Sequence, residues 1–141
     1  MSEELARFSK LFSALDEPAR KQLMAQSNKK SFVKGAVICR EGEAGGEFYV
    51  LTRGRVQVSG EDLLGRSFEL ASLGPGEFFG ELAALSGQRR QATITALEDV
   101  EALCFPPAAV GEVVKASPAA LQVMQKAGLQ RTEDTMKKMM E

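Results

Sequence analysis

The chain has no histidine, no tryptophan, one tyrosine and only two cysteines in 141 residues. The missing histidine removes the commonest general base, the usual partner of a catalytic serine and the commonest metal ligand. Cys39 and Cys104 form no CxxC, so neither a zinc nor a redox site is expected. Both lie in apolar, strand-like runs ("AVICR", "EALCF"), where buried thiols belong. No apolar run approaches the length of a membrane span, and the opening "MSEELARFSK" has no apolar signal core. A cytoplasmic protein without a membrane segment is expected. Charge of one sign is lacking too: 18 basic side chains face 19 acidic ones, net −1. That balance announces neither a nucleic-acid-binding face nor a disordered acidic tail. Together these absences lower the case for an enzyme or a metalloprotein, although catalysis by lone carboxylates stays open.

What is present is unevenly spread. Eleven of the 13 glycines fall between Gly35 and Gly87, and the flanks are glycine-poor. Residues 3–26 read as helical, with Leu5, Phe8, Leu11, Phe12 and Leu15 at helical spacing. Asp16 is placed to cap a second helix that has Pro18 in its first turn. Residues 31–105 read as short strands with turn signals at close intervals, the pattern of an antiparallel barrel or sandwich. Within them Thr52-Arg53-Gly54 predicts a tight hairpin between Phe48–Leu51 and Arg55–Val58. Residues 106–141 turn helical again, restarting at Ser117-Pro118. Leu121, Met124, Leu129, Met136 and Met140 are scattered along the last helix, and Gly128 is a weak point within it.

Residues 74–95, "GPGEFFGELAALSGQRRQATIT", concentrate the chemistry. The glycine spacing is GxGxxxG, which is not a dinucleotide fingerprint, and Glu81-Leu82 stands where a Walker loop needs Lys-Ser/Thr. A different anion seat fits. Gly80 precedes a helical turn, and the first amides of a helix point outward without internal partners. Glycine lets a ligand approach them closely, and the helix dipole favours negative charge. An arginine from the following "SGQRR" loop completes the seat with a planar fork suited to phosphate. Glu81 would repel that phosphate, unless it accepts a hydrogen bond from a sugar hydroxyl. Arg89 reads as a surface residue, and Phe78 as core.

The run Phe79-Gly80-Glu81-Leu82-Ala83, followed by Arg89-Arg90-Gln91-Ala92-Thr93, resembles the phosphate-binding cassette of cyclic nucleotide-binding domains. These occur in the catabolite activator protein, in regulatory subunits of protein kinase A and in cyclic-nucleotide-gated channels. "GEFYVLTRGRVQV" before the cassette and "ATITALEDVEALCFPP" after it extend the resemblance over almost the whole chain. The resemblance implies a single domain, 1–141. It would be mainly β with flanking helices: a jelly-roll-like β-roll, or double-stranded β-helix, of about eight strands. N-terminal helices would fill 1–30, the roll 31–105 with its cassette at 78–93, and C-terminal lid helices 106–141. It implies a non-catalytic sensor whose ligand is cAMP or, second, cGMP, with no metal.

Arg90 would pair with the exocyclic phosphate oxygens and Glu81 with the ribose hydroxyl. Gly80, Leu82 and Ala83 would offer backbone, and Phe79, Gln91 and Ala92 would line the site. Gln91 departs from the family, which often has Ala there in cAMP sites and Thr or Ser in cGMP sites; lacking the guanine-reading hydroxyl, it favours cAMP. Ligand would close helix 118–140 over the base about a hinge near Phe105–Ala109. A homodimer through the C-terminal helix is the partner reading beside an unknown downstream protein, with no direct nucleic acid contact and no membrane. The helix's apolar positions hold no heptad. Two alternatives remain open. One is the sensor fragment of a transcription regulator lacking its DNA-binding domain; the other is a degenerate roll that binds another small ligand, such as a sugar, or none.

Overall fold

The computed structural model describes residues 6–7 and 9–140. Two short helices, α1 (Lys10–Ser13) and α2 (Glu17–Ala25), lead into the strands β1 (Asn28–Phe32), β2 (Val37–Cys39), β3 (Phe48–Arg53), β4 (Val56–Glu61), β5 (Ser67–Leu73) and β6 (Phe78–Phe79). Helix α3 (Glu81–Ser86) separates β6 from β7 (Thr93–Ala96). After β8 (Val100–Phe105) come α4 (Pro107–Ala116) and α5 (Pro118–Met140). The helix starts follow local chemistry. The Asp16 carboxylate accepts from Ala19 N at 2.9 Å and the Ser117 hydroxyl from Ala120 N at 3.2 Å. Leu5 and Phe8, expected on the first helix, lie outside the described residues, whereas Leu11, Phe12 and Leu15 are buried.

The strands form two four-stranded antiparallel sheets, ordered β1-β8-β3-β6 and β2-β7-β4-β5. This is the mainly-β roll with flanking helices that the sequence implied. Alternation along β3 divides the core. Phe48 and Val50 face the helices, in one cluster with Phe12, Phe78, Leu103 and Phe105. Tyr49 and Leu51 face the interior of the roll, in a second cluster with Val56, Val58, Ile94 and Cys104. The first sheet is therefore covered on both faces, by α1, α2, α4 and α5 on one side and by the second sheet on the other.

Two expectations need correction. First, β3 and β4 are not a hairpin: β3 pairs with β6 and β8, and β4 pairs with β5 and β7. Gly54, at φ 85°, carries the chain from one sheet to the other, and a Cβ there would lie 2.4 Å from the Asp99 carbonyl. The glycine signals a bend but not a pairing partner. A strand buried at Phe48, Tyr49, Val50 and Leu51 has to be central, and β8, equally buried, takes the place beside it.

Second, β1 begins at Asn28, inside residues 1–30 assigned to the N-terminal helices. Its polar residues 28–31 are exposed on the sheet edge, so hydrogen bonding to β8 makes the strand and no apolar alternation marks it. Of the apolar residues scattered along α5 only Met124 is buried; Leu129, Met136 and Met140 are 63%, 59% and 85% exposed. The helix turns Ala120, Met124 and Gly128 inward, and the missing side chain of Gly128 lets it lie close to α3. A Cβ on Gly128 would rest 3.7 Å from Leu82 Cδ2.

Candidate functional site

The site is assembled around the start of α3. Gly80 caps that helix in a left-handed conformation, φ 92°. No other residue fits: a Cβ at Gly80 would stand 2.6 Å from the Glu47 carbonyl oxygen and 2.7 Å from Arg90 Nη1. The first bond within α3 runs from Ala84 N to Gly80 O, at 3.0 Å, so the amides of Glu81, Leu82 and Ala83 precede the helical ladder.

Arg90 is held at the head of this helix by its own backbone. Its amide donates to Glu43 O, and its carbonyl accepts from Gly42 N, both at 2.9 Å. The side chain is 8% exposed. Its Nη2 lies 3.4 Å from Glu47 Oε2, and its Nη1 is buried with no hydrogen-bond partner among the described residues. The β2–β3 loop presses against this group: a Cβ on Gly45 would come 3.5 Å from Arg90 Nη2. The next residue, Gly46, packs on the start of α4, where a Cβ would come within 2.5 Å of Pro107 Cγ.

Glu81 is more deeply buried still, at 4% exposure. Its partner is a residue the sequence reading missed, Arg131 of α5. Arg131 Nη1 donates to both Glu81 carboxylate oxygens at 2.7 Å, its Nη2 donates to the Phe78 carbonyl, and its guanidinium lies 5.2 Å over the Phe78 ring. The sequence did hold a signal, since Met124, Gly128, Arg131 and Thr135 share one helix face.

These groups bound a cavity of about 160 Å³, and all eight residues chosen from the sequence line it. Val58, Leu70, Leu73 and Ile94 give it an apolar wall, and Arg131, Thr132, Thr135 and Met136 roof it from α5. The Thr132 and Thr135 hydroxyls donate back to the carbonyls of Gly128 and Arg131, at 3.0 and 2.8 Å, which leaves their lone pairs free. Gln91 turns its amide onto its own loop, donating to Arg89 O at 3.1 Å. Arg89, read as a plain surface residue, also lines the cavity, with Nη1 donating to Gly42 O at 3.1 Å.

Cys39 sits in the same wall, and burial pushes its thiol up to about 11, outweighing the opposite pull of Arg90. It is therefore a neutral thiol near pH 7 and no nucleophile. Burial, with the neighbouring Cys104 and Cys39, also pushes Tyr49 up. Among the described residues no three His, Cys, Asp or Glu side chains could hold a metal ion, and no helix is long and apolar enough to cross a membrane.

The family model for the cyclic nucleotide-binding domain matches residues 29–117. This chain belongs to the cyclic nucleotide-binding domain family.

It is similar to a cyclic nucleotide-gated potassium channel of Rhizobium etli, 32% identical over 121 residues, covering 86% of this chain and 32% of the channel. It is similar to a cAMP-dependent protein kinase regulatory subunit of Debaryomyces hansenii, 36% identical over 100 residues, covering 71% of this chain and 21% of the subunit. Among solved structures, the N-terminal domain of a transcriptional regulator from Streptomyces coelicolor superposes with a TM-score of 0.71 at 30% identity, covering 96% of this chain and 94% of that one. The chain thus spans a third or less of the curated relatives it matches. Such cyclic nucleotide-binding domains are regulatory ligand-binding modules.

Proposed function

We propose that this domain is a sensor that binds a cyclic nucleotide, cAMP ahead of cGMP, and signals its occupancy through the C-terminal helices. Arg90 carries the reading. A buried cationic nitrogen without a partner is costly, and an anion that meets it removes the cost. A cyclic phosphate offers one charge and two exocyclic oxygens to the fork, and the amides after Gly80 face the same point.

Glu81 accepts from the ribose hydroxyl with lone pairs that Arg131 leaves over. Phe79, Gln91 and Ala92 form the adjoining wall. The preference for cAMP is supported by the missing hydroxyl at position 91 and by the kinase-subunit relatives, which are cAMP-dependent by name. Helix α5 roofs the cavity, so ligand shifts the population of its seated placement, by no more than the difference in affinity between the two placements.

Titration calorimetry with cAMP and cGMP tests the reading. Wild type is expected to bind cAMP the more tightly, and Arg90→Ala to lose most of that affinity while keeping its circular dichroism spectrum. No heat from either nucleotide on folded wild-type protein would overturn it.

A further inference from the structure

The cassette ends in two adjacent arginines of different burial. Arg90 is 8% exposed, Arg89 is exposed, and both line the cavity. Arg89 therefore stands at the rim and Arg90 at the inner end.

The neighbouring loop is acidic. Between β2 and β3 the chain carries Glu41, Glu43 and Glu47, all exposed, against the single base Arg40. Over residues 31–105 seven basic side chains face eleven acidic ones. Glu47 lies 3.4 Å from Arg90 and offsets part of its charge. Neither Glu41 nor Glu43 has a salt bridge among the described residues. An anion on its way to Arg90 thus meets like charge, and Arg89 is the cation set beside its path.

Arg89 is held in place. Its Nη1 donates to Gly42 O at 3.1 Å. Gly42 N donates in turn to Arg90 O, and Arg90 N to Glu43 O, both at 2.9 Å. Gln91 Nε2 donates to Arg89 O at 3.1 Å. A guanidinium has five N–H donors, and the bond to Gly42 is the one this side chain makes among the described residues. It has no salt bridge there. Four donors and the whole charge are left over.

A bound phosphate has no need of them, because the Arg90 fork and the amides after Gly80 already match its two exocyclic oxygens and its one charge. A free phosphate does: a cation at the entrance raises the rate at which an anionic ligand arrives, and salt screens that gain.

We infer that Arg89 is a positioning residue that acts on arrival. It offsets the acidic loop and draws the phosphate of the ligand toward Arg90, without holding it once bound. This rests on the reading of Arg90 as the anion seat.

The test is stopped-flow mixing of the whole chain with cAMP carrying a fluorophore, from low to high salt, as the Debye length falls from about 30 Å at 0.01 M to about 3 Å at 1 M. Arg89→Gln is expected to slow association about ten-fold at low salt, the lower end of the range for steering, with the dissociation rate unchanged. The difference fades at high salt. Arg89→Lys, which keeps the charge, is expected to associate as wild type does. The circular dichroism spectrum stays unchanged, since the side chain is exposed. An association rate indifferent to Arg89→Gln, in a protein whose binding still depends on Arg90, overturns the inference alone. Faster dissociation in Arg89→Gln would make Arg89 a direct phosphate ligand, and a slow Arg89→Lys would make the bond to Gly42 the cause; either overturns it. Binding that is absent in wild type, or indifferent to Arg90→Ala, overturns the anion seat itself.

Discussion

Nη1 of Arg131, on α5, donates to both carboxylate oxygens of Glu81, on α3, at 2.7 Å and across 50 residues of chain. The same guanidinium bonds the Phe78 carbonyl and covers the Phe78 ring. One side chain thus fastens the last helix to the cassette at the acid assigned to the sugar.

Removing either half of this pair leaves a poorly compensated charge. Arg131→Gln is expected to destabilise the protein by about 2 kcal/mol, the range for an orphaned buried polar partner. Urea unfolding of both single variants and of Arg131→Gln/Glu81→Gln should show a double loss about 1 kcal/mol smaller than the sum. Strict additivity would mean that the two side chains are not coupled. Hydrogen exchange adds a local readout, with α5 beyond Gly128 exchanging faster in Arg131→Gln.

Glu47 holds Arg90 from one side while repelling any anion that approaches it from the other. Its carboxylate is about half exposed and lies 3.4 Å from Arg90. Glu47→Gln is therefore expected to tighten cAMP binding by about 0.5 kcal/mol, the scale of a solvent-screened pair, and more in low salt. Weaker binding would show instead that Glu47 is needed to aim the guanidinium.

Gly128 interrupts α5 where it crosses the cassette, yet a Cβ there would meet Leu82 and Glu81 only at ordinary contact distances, 3.7 and 3.8 Å. Gly128→Ala is expected to stabilise the protein by roughly 0.5–1 kcal/mol through the glycine it removes from a helix interior. A lower midpoint in thermal unfolding would mean that the helix must approach α3 more closely than this.

The buried thiol gives stability an alkaline limit. Folding raises Cys39 from 9.0 to about 11, so its contribution is complete below pH 9, where both states keep the proton. It is lost as pH rises through the folded value, because the unfolded chain releases its proton first. Stability measured by urea unfolding is expected to fall between about pH 9 and 11, more steeply in wild type than in Cys39→Val. Equal slopes would remove Cys39 as the cause.

The cassette was legible because its parts are close in sequence and each has one chemical use: a glycine where no Cβ fits, a helix start, an arginine. Arg131 was not. It lies far along the chain among Thr132, Glu133 and Asp134, where any arginine looks like a solvated charge, and only the register with Met124 and Gly128 betrays it. The β3–β4 turn misled for a related reason: Gly54 announces a change of direction, while the pairing partner is chosen by burial of residues far away. At β1 the failure ran the other way, since an edge strand of Asn28, Lys29 and Lys30 needs no apolar side chain to exist.

Gly45 and Gly46 act as a spacer of fixed thickness. One lies against the guanidinium of Arg90 and the next against Pro107, the first residue of α4. The clearance between the two is set by a pair of absent Cβ atoms, with no bond to stretch. A methyl added at Gly46 overlaps the Pro107 ring, so either the loop or the start of α4 has to give way. The resting position of the C-terminal helical unit is thus gauged at a loop that touches only its first residue, and a change of one carbon there re-zeroes the instrument.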